Sequence, residues 1–295
     1  MKLGYWTVGM PDWTAQELAE TALLHGFDGV EVNSSRRLAS PEGFELPLDP
    51  TDGEVAALRD AFASRGVELL TLLAANYPIH VDHRADWARF EDDFALHARL
   101  ASRIGARRVR VGVSGLDEPP DPADWDATVD TAWAAIGRVL DANPGLQAVV
   151  ENHPKSADAR RLFAAAERHD DRRIGLMYSP EHAMVMQEDF LGLIDDYAPW
   201  IFEICLADRR VIPEGLADWD GRVYTIRYEA CVIGEGNLPI DQVIRRLAAA
   251  GFDDYVSLKW EKSPRYNQHL PSGETVMEDY VRLLTAIPEF RNHQS

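Results

Sequence analysis

The chain has 295 residues, of which 46% are hydrophobic and 27% are charged, and its formal net charge at neutral pH is -19. This length and composition suit a globular protein of one large or two ordinary domains, with enough residues to bury a sizeable core. The negative charge argues against a nucleic-acid partner or an anionic membrane surface, because both attract basic patches.

Cysteine usage and the N-terminal segment predict the cellular setting. Cys205 and Cys231 are the only cysteines, which is too few for a disulfide framework and fits a reducing compartment. The first residues, Met1 to Trp6, lack the long apolar core of a signal peptide. We find no run of about 18 apolar residues that could cross a membrane. We therefore expect a cytoplasmic protein.

The first half of the chain alternates short apolar runs with amphipathic segments, which indicate buried strands and helices respectively. We predict strands over residues 2–8, 30–33, 67–75, 109–113 and 147–154, the last of them ending in polar residues and a proline. We predict helices over residues 14–25, 52–65, 85–104 and 121–143. Thr14 and Glu17 form a capping-box pattern at the start of the first helix, and Gly66 is placed to end the second.

The second half continues the alternation and defines the predicted fold. We predict helices over 157–169, 188–197, 241–250 and 273–286, and strands over 174–178, 200–206 and 255–260. Eight strands alternating with eight helices predict an α/β fold, a single (β/α)₈ TIM barrel over residues 1–295. An open doubly wound sheet is the rival, but no Gly-x-Gly-x-x-Gly pattern follows the first strand. Long loops, which often act as lids, are predicted over 33–50, 76–84 and 208–236.

Polar side chains follow most of the predicted strands. The carboxyl ends of barrel strands meet at one face, where active sites of such barrels are built. Because alternate residues of a barrel strand point inward, Glu151 and His153 share one side, as do Lys259 and Glu261. A single charged residue at a strand end is usually solvated, but the convergence of many favours a binding site. We predict that the following residues contact a small-molecule substrate: Trp6, Glu31, Asn76, His80, Arg110, Tyr178, Ser179, Cys205, Asp208, Arg209, Trp260 and Glu261.

Four stretches of this chain resemble a known family. They are Val150–Pro154, Tyr178–His182, Cys205–Arg209, and Gly234–Gly236 leading to Tyr255–Lys262. Together they resemble the xylose isomerase-like TIM barrels, the group of sugar phosphate isomerases and epimerases. The resemblance spans nearly the whole chain in order and spacing. It implies the barrel fold but no particular substrate, because the family includes isomerases, epimerases, dehydratases and nucleases.

The resemblance also implies a metal site, and this sequence departs from it. Members of the family typically hold a divalent metal with a Glu, an Asp, a His and a second Glu from four strand tips. Here Glu151 stands at the first Glu position, but Ser179 replaces the Asp, Cys205 replaces the His and Lys259 replaces the final Glu. His182 follows Ser179 by three residues, as in the family. We therefore expect the usual metal to be absent, with the Lys259 ammonium supplying positive charge beside Glu151.

The first hypothesis is a metal-free isomerase, epimerase or lyase that acts on a sugar-like or polyhydroxylated carbonyl compound. Burial would lower the pKa of Lys259, making it a base, an oxyanion stabiliser or a Schiff-base amine. Glu151 would be its acid–base partner, and His182 or His153 a second proton carrier. No cofactor is required by this hypothesis.

Two further hypotheses remain open. The barrel could be catalytically inactive and bind a small ligand or a partner protein. Alternatively, a metal could be held by other ligands drawn from Glu151, His153, His182, Cys205 and Glu261, and the sulfur and imidazole donors would then favour Zn²⁺. All three hypotheses involve no nucleic acid and no membrane, and the resemblance leaves a homo-oligomer open.

Overall fold

The computed structural model describes residues 1–10, 13–35, 44–74, 87–112, 122–154, 158–219, 222–262 and 267–291. Its strands are β1 (Lys2–Trp6), β2 (Gly29–Ser35), β3 (Glu45–Pro47), β4 (Glu68–Ala74), β5 (Arg108–Gly112), β6 (Gln147–Glu151), β7 (Ile174–Tyr178), β8 (Ile201–Leu206), β9 (Asp208–Trp219), β10 (Arg222–Cys231) and β11 (Tyr255–Leu258). Its α-helices are α1 (Ala15–His25), α2 (Asp52–Ala63), α3 (Trp87–Ile104), α4 (Pro122–Asp141), α5 (Ala159–His169), α6 (Pro180–Val185), α7 (Gly192–Tyr197), α8 (Ile240–Ala249), α9 (Gly273–Thr285) and α10 (Pro288–Arg291).

Eight parallel strands close into a barrel. They follow the order β1-β11-β8-β7-β6-β5-β4-β2, and β2 pairs back with β1 through Tyr5 and Val30. The predicted single (β/α)₈ TIM barrel is therefore confirmed, and the pairing of β1 with β2 excludes an open sheet. No helix within the described ranges is long and apolar enough to cross a membrane.

Local sequence signals account for the helix ends. The Thr14 hydroxyl accepts a hydrogen bond from the Glu17 backbone N–H at 3.2 Å, and the Glu17 carboxylate accepts one from the Thr14 N–H at 2.7 Å. This reciprocal pair confirms the predicted capping box, and each such cap typically contributes about 1 kcal/mol to stability. Gly26 ends α1 in the left-handed conformation at φ 79°, which a residue without Cβ adopts at little cost.

The predicted loop over 208–236 is wrong for most of its length, because it forms an antiparallel hairpin of β9 and β10. Arg209 pairs with Ala230, and Val211 with Tyr228. Apolar and polar residues alternate only over Ile226–Ala230 of β10, while Pro213 and Gly215 give β9 the composition of a loop. The hairpin packs against α6, the short helix that follows β7, and so adds a wall at the carboxyl end of the barrel.

Smaller differences concern the other loops and one helix. The loop predicted over 33–50 contains β3, which pairs with β2. The helix predicted over 188–197 begins later, at Gly192, as α7, because Glu188 and Asp189 lie in irregular chain before it. The loop predicted over 76–84 lies outside the described residues.

Candidate active site

The centre of the barrel mouth is the ammonium of Lys259. This residue follows β11, and its backbone N–H continues the sheet by donating to the Leu206 carbonyl at 2.9 Å. The side chain is almost fully buried, and its Nζ lies 2.9 Å from Glu151 Oε1 and 3.1 Å from His182 Nε2. An ammonium has three protons. Two are therefore engaged, and the third has no hydrogen-bond partner among the described residues.

The hydrogen bonds of His182 determine its tautomer. Its Nδ1 lies 2.8 Å from the Asn152 carbonyl oxygen, which can only accept, so Nδ1 carries the proton. Nε2 then offers a lone pair to Lys259. Burial and the charge of Lys259 lower the pKa of His182 well below its ordinary value. His182 is thus a neutral acceptor that holds Lys259, with its lone pair already in use.

Glu151 is the most fully partnered carboxylate of the site. Its Oε2 forms an ion pair with Arg110, while Oε1 accepts from Lys259 and, at 3.3 Å, from the Ser179 hydroxyl. Burial acts to raise the pKa of Glu151, but the charges of Arg110 and Lys259 outweigh it and hold the pKa well below the ordinary range. Glu151 is therefore a permanent anion.

The charge state of Lys259 differs from the prediction. Burial does act to lower its pKa, but Glu151 and Glu261, whose Oε1 lies 4.0 Å from Nζ, outweigh burial and raise the pKa above its ordinary value. The predicted lowered pKa is wrong, because the sequence pattern did not show how many carboxylates surround the amine. Lys259 remains an ammonium, which suits it to stabilise an oxyanion but not to act as a base or a Schiff-base amine.

Asn152 and Ser179 join the tips of β6 and β7. The Ser179 backbone N–H donates to Asn152 Oδ1 at 2.7 Å, and Asn152 Nδ2 donates to the Ser179 carbonyl at 3.0 Å. This reciprocal pair fixes the two tips that carry Glu151 and His182. Asn152 was not among the predicted site residues, although an amide between two predicted site residues was a usable signal.

Glu181 is a second residue that the sequence prediction missed. It lies in α6, is fully buried, and neither carboxylate oxygen has a hydrogen-bond partner among the described residues. Its Oε1 lies 3.7 Å from His182 Nε2 and 3.8 Å from Lys259 Nζ. Burial raises the pKa of Glu181 to about 7, against the lowering effect of Lys259. The signal for it was an acidic residue just after a strand tip, inside a stretch already singled out.

The rim of the mouth carries an ion pair and an aromatic ring. Arg209 donates to Glu261 Oε2 at 2.9 Å, and its guanidinium lies 5.7 Å from the centre of the Tyr228 ring. Burial acts to raise the pKa of Glu261, but Lys259 and Arg209 lower it to about 2. Arg209 and Tyr228 both belong to the hairpin, so the hairpin forms one wall of the site.

Asp208 is occupied by backbone. Its carboxylate accepts hydrogen bonds from the N–H groups of Arg209, Gly234, Gly236 and Leu238 at 2.8–3.1 Å. A Cβ at Gly236 would lie 2.1 Å from Asp208 Oδ1, so the close approach requires glycine. The predicted substrate contact at Asp208 is instead an anchor that holds the end of the hairpin against β8.

The remaining predicted contacts fall into three groups. Trp6 and His153 lie at the centre: Lys259 Nζ is 5.2 Å from the Trp6 ring, and the His153 and His182 rings are 4.6 Å apart. The side chains of Tyr178 and Trp260 turn into the core between barrel and helices, where they donate to the carbonyls of Phe190 and Pro271. Their predicted role in substrate contact is therefore wrong in geometry, because each follows the outward-facing parity of its strand.

Other predicted residues lie below the mouth or outside the described ranges. Cys205 packs in an apolar layer inside the barrel with Val149 and Met177, and burial raises its pKa well above the ordinary value. Glu31 is fully buried, and burial followed by the charge of Glu203 raises its pKa well above the ordinary value. Asn76 and His80 lie outside the described residues.

The donor set does not fit a divalent metal. Within the described ranges, no three His, Cys, Asp or Glu side chains are arranged to hold a metal ion. Glu151 Oε1 and His182 Nε2, the atoms that a cation would need, instead accept hydrogen bonds from Lys259. A raised-pKa thiol at Cys205 is a poor ligand, because metals bind the thiolate. The zinc-binding hypothesis therefore lacks a suitable set of donors.

Comparison with solved structures finds the same architecture at low identity. A D-tagatose 3-epimerase-like protein shares 15% identity and a TM-score of 0.71, over 100% of this chain and 99% of that one. 3-Keto-D-glucoside 4-epimerase YcjR from E. coli shares 13% and 0.69, over 96% and 99%. The IolI protein, crystallised with a zinc atom, shares 15% and 0.69, over 99% of both chains.

The sequence comparisons agree with the fold. No curated protein matches the chain significantly. The family model for the xylose isomerase-like TIM barrel matches residues 19–286, which include every strand tip described above except Trp6 of β1. This chain therefore belongs to the xylose isomerase-like TIM barrel family.

Proposed function

We propose that this protein is an isomerase-, epimerase- or lyase-like enzyme that moves a proton on a sugar-like or polyhydroxylated carbonyl compound. The observation that carries the proposal is the buried Lys259 ammonium, which is held by Glu151 and His182 and whose third N–H has no partner in the described part of the chain. In this proposal the ammonium takes the electrostatic place that the family resemblance assigns to a divalent metal.

The chemistry follows from the fixed charge of Lys259. Removal of a proton beside a carbonyl group leaves an enolate, whose negative charge resides mainly on oxygen. A preorganised ammonium in a buried site stabilises that charge far better than water does, because little solvent reorganises around it. The free N–H of Lys259 therefore binds the carbonyl oxygen and becomes a stronger partner as the enolate forms.

The substrate class follows from the unpartnered polar atoms. Trp6 Nε1 and Arg110 Nε are buried donors, and Glu181 and Asn33 Oδ1 offer buried acceptor oxygens, none with a partner among the described residues. Such groups are costly to bury unsatisfied, and hydroxyl groups can both donate to them and accept from them. Two structural neighbours are named as a 3-keto-D-glucoside 4-epimerase and a D-tagatose 3-epimerase-like protein, and both names refer to polyhydroxylated carbonyl compounds.

A barrel that binds without catalysis is the second candidate. It is favoured by the mutual satisfaction of Glu151 and Lys259, whose pKa values are both displaced away from neutrality. Two groups that neutralise each other can form a stable binding surface without transferring a proton.

Deuterium exchange separates the two candidates without knowledge of the product. The protein is incubated in D₂O with D-tagatose, D-fructose or a 3-keto-D-glucoside, and ¹H NMR follows the loss of carbon-bound protons. We expect exchange with the wild type and at least a ~100-fold slower rate with Lys259→Met, the lower end of what removing one oxyanion donor costs.

The control for this substitution is Lys2→Met, which removes an exposed lysine that lies 3.9 Å from Glu68, far from the mouth. It should exchange at the wild-type rate. Saturable binding of a probe without exchange would support the binding protein instead, and full activity in Lys259→Met would refute the proposed role of the ammonium.

A further inference from the structure

Two buried carboxylates lie beside Lys259, and they differ in what they contact. Glu151 is engaged by Arg110, Lys259 and Ser179. Glu181 is just as buried, yet both of its oxygens lack a hydrogen-bond partner among the described residues. A carboxylate whose oxygens already accept several hydrogen bonds is a weak base, because those bonds stabilise its ionised form. A buried carboxylate without such partners keeps its lone pairs available to a bound substrate.

The position of Glu181 suits a proton transfer next to a bound carbonyl. Its Oε1 lies 3.8 Å from Lys259 Nζ and 3.7 Å from His182 Nε2, which is close to both groups but too far for a hydrogen bond. If the third N–H of Lys259 binds the carbonyl oxygen of a substrate, the carbon next to the carbonyl group is two bonds away from that oxygen. That carbon therefore comes within reach of the Glu181 carboxylate.

The charges of the mouth favour the same assignment. Arg110, Lys259 and Arg209 provide three positive charges, while Glu151 and Glu261 are carboxylates whose neighbouring cations hold their pKa values low. With Glu181 ionised the site is neutral, and with Glu181 protonated it carries one positive charge. A site that becomes positive on accepting a proton matches a substrate that becomes negative on losing one.

We propose that Glu181, and not Glu151, is the catalytic base that removes the proton from the substrate carbon; this inference rests on the proposed function. The C–H bond of the carbon beside the carbonyl breaks, its proton forms an O–H bond with Glu181, and the electron pair moves into a C=C bond. The former carbonyl oxygen then carries one negative charge, which Lys259 stabilises. Glu181 then returns a proton to that carbon, the C=O bond forms again and the Glu181 carboxylate is restored, so no oxidant or reductant is needed. In D₂O the proton held by Glu181 exchanges with solvent, so a deuteron is returned to the carbon instead.

The fold supplies a reason why Glu181 is held in this place. α6 packs against β8 of the barrel and against both strands of the hairpin. Glu181 is thus enclosed between the barrel wall and the hairpin, with Arg209 close enough to lower its pKa. A base in such an enclosure is held in a fixed position beside Lys259.

The test is Glu181→Gln in the full chain, measured by the same exchange of D-tagatose, D-fructose and the 3-keto-D-glucoside. We expect kcat for exchange to fall by at least ~100-fold, as for the loss of a general base. KM should change by less than about threefold, because the amide has nearly the same shape as the carboxylate. The matched control is Glu188→Gln. Glu188 is a partly buried carboxylate of the same segment, but it accepts hydrogen bonds from the Ala159 and Arg160 backbone N–H groups. Its substitution by glutamine should therefore leave kcat unchanged.

A second variant guards against a folding defect. Glu181→Ala in the presence of added formate should regain exchange in proportion to the formate concentration, because formate replaces the missing carboxylate. Wild-type-like exchange in Glu181→Gln overturns the assignment and leaves the proposed function standing. Absence of exchange in the wild type with every probe overturns both. Unfolding of both variants also overturns the assignment, since it would make Glu181 a residue that the fold requires.

Discussion

The interior of this barrel contains two buried ionic clusters, one at each end, and they are built differently. Near the amino ends of the strands, Arg108 pairs with Asp254, donates to Gln147 at 3.3 Å and lies 3.6 Å from Glu203. At the carboxyl ends, Lys259 contacts Glu151 and His182. The guanidinium of Arg108 is bonded to protein partners on each side, whereas the Lys259 ammonium has one proton without a hydrogen-bond partner among the described residues.

This difference in hydrogen bonding distinguishes an ion cluster that stabilises the fold from one that has capacity to bind a ligand. A guanidinium has a planar set of donors that locks into fixed partners, whereas an ammonium is a point charge with three rotatable donors. A buried cation left with spare hydrogen-bonding capacity is costly to the fold, and in the proposed function the substrate oxygen supplies the missing partner. The same reasoning distinguishes Glu181 at the mouth from Glu203 below it, which accepts from Thr71 at 2.8 Å.

The largest expected effect on stability is at the amino-terminal cluster. Arg108→Met leaves Glu203 and Asp254 without their buried cation, and we expect the free energy of unfolding to fall by about 3–5 kcal/mol. Urea unfolding at neutral pH measures this. Arg107→Met is the control, because Arg107 pairs with the same Asp254 at 3.1 Å but is partly exposed, and it should cost about 0–1 kcal/mol. Equal losses in both variants would contradict the structural role of Arg108.

The carboxyl-terminal cluster should tolerate loss of its cation better. Lys259→Met removes one partner of Glu151, but Arg110 still neutralises that carboxylate. We expect a loss of about 1–3 kcal/mol, the cost of an imperfectly satisfied buried polar group, measured by the same urea titration. If Lys259→Met destabilises the protein as much as Arg108→Met does, the two clusters do not differ in the way described.

The smallest effect, counted per pH unit, concerns the pH dependence of stability. It arises from Glu31, a carboxylate between the two clusters. Burial, and then the charge of Glu203, raise the pKa of Glu31 well above its ordinary value of 4.5. The folded chain thus holds a proton that the unfolded chain releases, so this contribution to stability is fully present below pH 4.5. It is lost as pH rises toward the folded pKa, at up to about 1.4 kcal/mol per pH unit.

The variant Glu31→Gln cannot ionise and should lack this slope. Urea midpoints of wild type and variant, measured from about pH 5 to about pH 8, should diverge with the variant relatively more stable at the higher pH. Parallel curves would show that Glu31 is not protonated in the folded protein. Comparing the two proteins cancels the other groups that titrate in this range.

The barrel could be predicted from sequence because its signals are local. Apolar runs ending in polar residues, glycine stops and the Thr14 capping box each act over a few residues. The hairpin of β9 and β10 was missed because its pairing joins Asp208 to Cys231, and a proline and a glycine give β9 the composition of a loop.

The site could be predicted only in part. The pairing of Lys259 with Glu151 was implied by the family resemblance, in which both residues stand at metal-ligand positions, and the structure places their charged atoms 2.9 Å apart. The sign of the Lys259 pKa shift was wrong, since burial can be anticipated from a strand position but the sum of surrounding charges cannot. Glu181 was not predicted, because the family resemblance assigns no metal ligand to its position.

Lys259 also has a consequence for how the site is assembled. It lies just after β11, the last strand that the structure describes. In the sheet, β11 pairs with β1 on one side and β8 on the other. The first and last strands must therefore meet before the cation reaches Glu151, which is supplied by the middle of the chain. A growing chain consequently holds Glu151 and Arg110 long before Lys259 is synthesised, and the positive centre appears only when the ring of strands is complete.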